Sequence, residues 1–118
     1  MKLLTETIRE KLVANGRKQD PVRGADDEID FRPVVKLFTP DAACTWLLTE
    51  IDPEDHDISF GLCDLGMGTP ELGSVRISEL ESVRGPLGLP VERDRYFEAD
   101  RTLSAYADEA RVHGRVRA

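Results

Sequence analysis

Residues 78–97 read SELESVRGPLGLPVERDRYF, which combines a short helix, a corner and a strand. Ser78 and Glu81 have the spacing of a capping box, which predicts the start of the helix. Gly85 can adopt the left-handed conformation that ends a helix, and the prolines that follow it cannot continue one. Residues 91–97 then alternate in polarity, as a short and partly exposed strand does. The stretch therefore predicts a helix that leads into the fifth and last strand of a sheet.

Hydrophobic spacing predicts four earlier strands and two further helices around this stretch. Thr5 can cap an N-terminal helix that ends at Asn15 and Gly16, and residues 103–110 have the spacing of a C-terminal helix. The predicted earlier strands are residues 34–38, 43–51, 58–65 and 72–77. The order αββββαβα predicts an α+β domain, with a single antiparallel sheet of about five strands and helices packed on one face.

The second and third strands are joined by an acidic turn that is too short for a crossover, so they are predicted to pair antiparallel. If Ile51 lies opposite Ile58, Leu47 points to one face of the pair, and Trp46 and Leu48 point to the other. We predict that the Leu47 face is core, because its neighbours across the strands are also apolar. The Trp46 face is predicted to be semi-polar.

The 118 residues are predicted to form one domain, with residues 17–32 as an acidic linker or loop, residues 33–110 as the core and residues 111–118 as a basic tail. No apolar run is long enough for a membrane span, and the first ten residues include acids, unlike those of a signal peptide. We therefore expect a cytoplasmic protein. Cys44 and Cys63 are too few for a disulfide framework or a zinc site, and we expect two thiols.

The formal net charge of −7 opposes non-specific binding to nucleic acid, which requires an excess of Lys and Arg. The same charge permits an acidic surface that meets a basic site on another protein. We therefore expect a protein partner rather than a nucleic acid or a membrane, and a chain that is itself a monomer or weak dimer.

Three groups of residues have the composition of a chemical site without its pattern. The acidic turn around Pro53 lacks the glycine of a calcium loop. Gly66 and Gly68 lead into a predicted strand, whereas a phosphate-binding loop opens into a helix. Neither His56 nor His113 lies in a pattern with a nucleophile and an orienting group. We therefore predict no catalytic residue, no metal and no cofactor, and we favour a protein that is not an enzyme.

An exposed tryptophan could stack on a base or anchor a partner protein, and nearby guanidinium groups could add charged contacts. The candidate ligand- or partner-binding residues are Trp46, Glu50, Arg84, Glu92, Arg93 and Asp94. They define one hypothesis, a small-ligand or nucleotide-binding module. The alternatives are that the tryptophan belongs to the core and that the charged residues form a solvated face of weak ion pairs.

Several stretches resemble the uncharacterised bacterial proteins grouped as domain of unknown function 2958. They are MKLLT at the start, VVKLFTPDAACTWLLTEIDPED, FGLCDLG, ELGSVRISELESVRGPLGLPVERDRYFEAD and TLSAY. The resemblance runs from Met1 to about Tyr106 and implies a small stand-alone protein, often carried by plasmids and other mobile elements. It implies no reaction. The acidic segment 17–32 and the insertion around Met67 depart from the family pattern, which bears on functions located in loops and not on the fold.

These observations favour a non-catalytic, acidic interaction or accessory protein of a mobile element. We expect it to bind a host or element-encoded protein, in a role such as counter-defence.

Overall fold

A computed structural model describes residues 3–118 as a five-stranded sheet with three helices. In chain order the elements are α1 (Glu6–Gln19), a 3₁₀ turn (Asp20–Val22), β1 (Val35–Phe38), β2 (Thr45–Asp52), β3 (Asp55–Asp64), β4 (Glu71–Arg76), α2 (Ile77–Ser82), β5 (Glu92–Arg93) and α3 (Leu103–His113). The strands lie in the order β4-β3-β2-β1-β5, and all neighbours are antiparallel. The predicted α+β class and single antiparallel sheet are confirmed, and the order of elements agrees. Residues 1 and 2 of the predicted domain lie outside the described residues.

The helices cover both faces of the sheet, whereas the sequence predicts a single covered face. Leu12 of α1 belongs to one cluster of buried side chains with Trp46 and Leu48 of β2. Leu47 of β2 belongs to a second cluster with Tyr106 of α3. Successive strand residues point to opposite faces, so β2 contributes to both clusters. The prediction of a semi-polar Trp46 face is wrong because α1 covers that face, which leaves the tryptophan 3% exposed.

The pairing of β2 with β3 follows the predicted register only over the first half of the strands. Up to Leu48 the register is the predicted one, and beyond it Ile51 lies opposite Ser59 rather than Ile58. The shift of one residue is a β-bulge, a local feature that bends the strand and increases its twist. The bulged residue is Thr49, which is left without a partner in the register.

Helix α1 packs against this bulge through two adjacent residues, Asn15 and Gly16. The buried side-chain amide of Asn15 donates to the carbonyl oxygen of Thr49 at 2.9 Å. A β-carbon on Gly16 would overlap the carbonyl oxygen of Ile51 and lie 3.1 Å from its carbonyl carbon. The predicted helix end at this Asn-Gly pair is wrong, since α1 continues to Gln19. The pair instead allows the helix to approach the strand closely.

Aspartates from other parts of the chain accept hydrogen bonds from the first turns of α2 and α3. The Asp57 carboxylate accepts the backbone N–H of Ser78 at 2.8 Å and its hydroxyl at 2.6 Å, and these hydrogen bonds lower the pKa of Asp57. The Asp30 carboxylate accepts the backbone N–H of Ser104 at 3.1 Å and also its hydroxyl. The predicted capping box of Ser78 and Glu81 is wrong, because the serine hydroxyl is bound to Asp57.

The corner between α2 and β5 turns at a different glycine than predicted, and the strand that follows it, β5, is shorter than predicted. Gly88, rather than Gly85, has the left-handed conformation, with φ of 82°. Strand β5 contains two residues instead of the predicted seven at 91–97. It ends because the Asp94 carboxylate accepts the N–H of Tyr96 at 2.9 Å, a local contact that turns the chain.

The acidic segment 17–32 begins as the last turn of α1 and is then held by side chains. The Gln19 side chain donates to the carbonyl oxygen of Ile29 at 2.7 Å and accepts its N–H at 2.9 Å. Arg23 forms an ion pair with Glu50 of β2 at 2.9 Å. The segment therefore packs along the end of the sheet.

Candidate functional site

The six predicted binding residues lie in different parts of the structure. They are Trp46, Glu50, Arg84, Glu92, Arg93 and Asp94. Trp46 lies in the core beneath α1 and offers no stacking surface to a ligand. Glu50 is also buried, further along β2, and pairs there with Arg23. The remaining four residues come together around β5 and the corner that precedes it.

Arg84, Glu92 and Arg93 line one cleft of about 360 Å³ at the β5 edge of the sheet, here called the arginine cleft. Its lining residues are Leu3, Glu81, Arg84, Pro90, Val91, Glu92, Arg93 and Arg95. A bridge between Arg84 and Pro90 closes the base of the corner and brings both ends of it to the cleft. Asp94 lines a neighbouring cleft instead and pairs with Lys36 at 3.6 Å.

The three guanidinium groups of the arginine cleft form no ion pair with a carboxylate of residues 3–118. Arg84 donates to two backbone carbonyl oxygens just before it in the chain, at 3.1 and 2.8 Å. Arg93 donates to the carbonyl oxygen of Leu3, and Arg95 is exposed. A guanidinium has five N–H donors, so each group retains donors that could bind an anionic ligand.

A loop of residues 85–90, here called the leucine loop, lies beside the arginine cleft and presents two leucines to solvent. The Asp41 carboxylate accepts the N–H groups of Leu87 and Leu89, at 2.8 and 3.4 Å. A β-carbon on Gly85 would overlap this carboxylate, so a larger residue there would displace the Asp41 side chain. Leu87 is 80% exposed and Leu89 is 43% exposed. The loop thus holds apolar side chains in a defined position outside the core.

The lining of the arginine cleft is suited to binding and lacks a nucleophile. Its lining from residues 3–118 contains no histidine, cysteine or hydroxyl side chain. Elsewhere, burial raises the pKa of the Cys63 thiol and so disfavours its reactive thiolate form. No group of three or more His, Cys, Asp or Glu among residues 3–118 is placed to hold a metal ion.

The sequence-based site omitted Arg95 and the two leucines of the leucine loop. The alternation after Val91 was a usable signal for Arg95, because it places this residue on the same side as Arg93. No local pattern indicates the exposure of Leu87, which depends on the contact with Asp41, 46 positions away.

The fold and the cleft define a small α+β protein with a charged groove at one edge of its sheet. The chain belongs to the family described as protein of unknown function (DUF2958), whose model matches residues 3–117. The resemblance noted from the sequence is thereby confirmed over nearly the whole chain. A search of the curated proteins and a search of the solved structures found no match. None of the helices in residues 3–118 has the length and apolar character required to cross a membrane.

Proposed function

We propose that this protein is a small, non-catalytic interaction protein, and that the arginine cleft and the leucine loop together bind a segment of a partner protein. The proposal is carried by one juxtaposition, in which three arginines without carboxylate partners adjoin two exposed leucines on a fixed loop. Protein interfaces obtain most of their binding energy from a few anchor residues, and arginine is common among them.

The charges of the cleft indicate the chemistry of the partner segment. Three arginines and two glutamates line the cleft, although the whole chain has a net charge of −7. Guanidinium groups bind carboxylates through paired N–H donors, and such charge-assisted hydrogen bonds are strong. An acidic segment that also contains a large apolar side chain would pair with the arginines and cover the leucines.

We propose a host or element-encoded protein of the cytoplasm as the partner, in keeping with the setting that the family resemblance implies, and counter-defence as the role of the complex. A small-ligand or nucleotide-binding module is less well supported, because Trp46 is buried and Glu50 lies elsewhere. Of the residues in that hypothesis, the arginines still lie together in a cleft. A nucleotide would bind them through its phosphates.

The proposal is tested by selecting short random peptides on the immobilised protein. We expect the selected peptides to be rich in Asp and Glu and to share at least one large apolar residue. In the matched assay, Arg84→Glu and Arg95→Glu should each weaken a selected peptide by about tenfold or more, because each reversal removes a charge-assisted hydrogen bond and adds repulsion.

Arg32→Glu is the control, since Arg32 is also exposed but does not line the arginine cleft. It makes the same change of net charge, and we expect peptide binding to persist. Selected peptides without acidic residues, or equal losses in all three variants, would contradict the proposal. If ATP displaced every selected peptide at ATP concentrations near the dissociation constant of ATP for the protein, the result would favour the nucleotide hypothesis instead.

A further inference from the structure

Strand β4 forms one edge of the sheet and lacks the protection that natural edge strands usually have. All six of its residues pair with β3 in an unbroken register, and no strand of residues 3–118 pairs with its outer side. Edge strands are commonly protected by short length, proline, bulges or inward-pointing charges. The charges of β4 lie only at its ends, Glu71 and Arg76. The opposite edge is better protected, because β5 has two residues and Arg93 holds Leu3 beside it.

A second cleft, of about 330 Å³, lies over the face of the sheet that carries α3 and reaches β4 at Leu72. It combines apolar with acidic lining, and we call it the acidic cleft. Its apolar side chains include Phe60 and Leu72. Its charged side chains are those of Glu28, Asp30 and Glu50, and no lysine or arginine from the described part of the chain, residues 3–118, lines it. The acidic cleft is therefore complementary to a partner that is both apolar and basic.

Neighbouring groups leave an excess of negative charge in the acidic cleft. Glu28 accepts the N–H of Gly24 at 2.7 Å, and Asp30 accepts from Ser104, so the donors to both carboxylates are neutral groups. Hydrogen bonds from Ser104 outweigh the effect of partial burial, which alone would raise the pKa of Asp30, and the pKa is lowered overall. Within residues 3–118, Glu50 is the one carboxylate of the three with a cationic partner, Arg23.

We propose that the outer edge of β4 accepts an extended basic segment of a partner protein as a sixth strand. Half of the backbone groups of β4 point away from β3 and could pair with the added strand. An apolar residue of that strand would cover Leu72, which is 41% exposed, and basic residues would face the carboxylates of the acidic cleft. Glu71, Leu72, Ser74 and Arg76 are exposed and the other two residues of β4 are half-buried, so the strand is open to solvent. A second copy of this chain fits less well, because it would bring another acidic cleft to the same edge.

The test uses the full chain and two synthetic peptides with threonine at every second position; the intervening positions, which share one face of the added strand, alternate valine with lysine in one peptide and valine with glutamate in the other. Amide hydrogen exchange followed by NMR identifies the residues that each peptide protects. We expect the lysine peptide to slow exchange in β4 and to bind at least about tenfold more tightly than the glutamate peptide. Leu72→Lys should weaken the lysine peptide by about tenfold, since it repels the peptide and removes an apolar contact. Val112→Lys makes the same exposed change on α3 and should bind the peptide like the wild type.

Three results would overturn the proposal: protection outside β4, equal binding of the two peptides, or an unchanged affinity in Leu72→Lys. Protection of β4 that rises with protein concentration in the absence of peptide would also overturn it, because the occupant would then be a second copy. None of these results bears on the arginine cleft, which lies at the opposite edge of the sheet.

Discussion

Replacing Gly16 with alanine tests the close contact between helix α1 and the sheet. At an ordinary helical position, Gly→Ala stabilises a protein by about 1 kcal/mol, through helix propensity. At Gly16 the new β-carbon would overlap the carbonyl oxygen of Ile51 and lie 3.2 Å from a ring carbon of Pro53. Backbone atoms cannot rotate out of the way as a side chain can, so α1 would have to move away from β2.

The energy lost in that movement exceeds the gain in helix propensity. Overpacking of a rigid contact costs about 1–3 kcal/mol. A shift of α1 also breaks the buried hydrogen bond from Asn15 to Thr49, and leaving such groups without partners costs about 1–3 kcal/mol. After the gain of about 1 kcal/mol is subtracted, we expect Gly16→Ala to lower the free energy of unfolding by roughly 3 kcal/mol.

Urea unfolding followed by the fluorescence of Trp46 measures this change, because the indole is buried beneath α1. Gly73→Ala is the matched control: a β-carbon there meets open space, and we expect a change of less than about 0.5 kcal/mol. A Gly16→Ala variant more stable than the wild type would refute the reasoning, since that is the result for a helix without the contact.

Three further predictions concern single side chains. Asn15→Ala should lower the free energy of unfolding by about 1–3 kcal/mol in the same urea assay, with Asn15→Asp losing a similar amount because it too lacks the amide donor. The pKa of Asp57 is lower in the folded protein than its ordinary value of 3.8, so its stabilising effect is present above about pH 4 and is lost as the pH falls through the folded pKa. Thermal melts of Asp57→Asn should therefore show a smaller loss of stability in acid than those of the wild type. An equal loss in the two proteins would count against this role. Asp41→Ala should speed the amide exchange of Leu87 while leaving that of the β2 core unchanged, and equal rates in both proteins would show that the carboxylate does not hold the leucine loop.

The fold class could be predicted because the information for it is local. The alternating residues of β2 and β3, with a short acidic turn between them, indicate an antiparallel pair without reference to the rest of the chain. The covered faces could not be predicted in this way, because β2 is apolar on both sides and only packing decides what meets each side. At Gly16 the local rule and the packing conflict, and the contact with Ile51 overrides the usual tendency of glycine to end a helix.

The candidate site was predictable to the extent that its residues are close in sequence. Glu92 and Arg93 follow one another, and Arg84 joins them through the bridge to Pro90. Trp46 was included in the candidate site although a core position was the alternative, because a tryptophan in an apolar strand is compatible with both. No sequence pattern indicated that Asp41 binds the leucine loop, since an aspartate after a strand is ordinarily a turn residue.

The aspartates at the starts of α2 and α3 imply an order of events in folding. Asp57 lies 21 positions before the serine that it binds in α2, and Asp30 lies 74 positions before its serine in α3. Helix α2 has only six residues, too few to be stable in isolation. We therefore expect the strands to assemble first, so that loss of either carboxylate accelerates unfolding more than it slows folding. Since α2 and the corner after it line the arginine cleft, the late step that completes the fold also assembles the proposed binding surface.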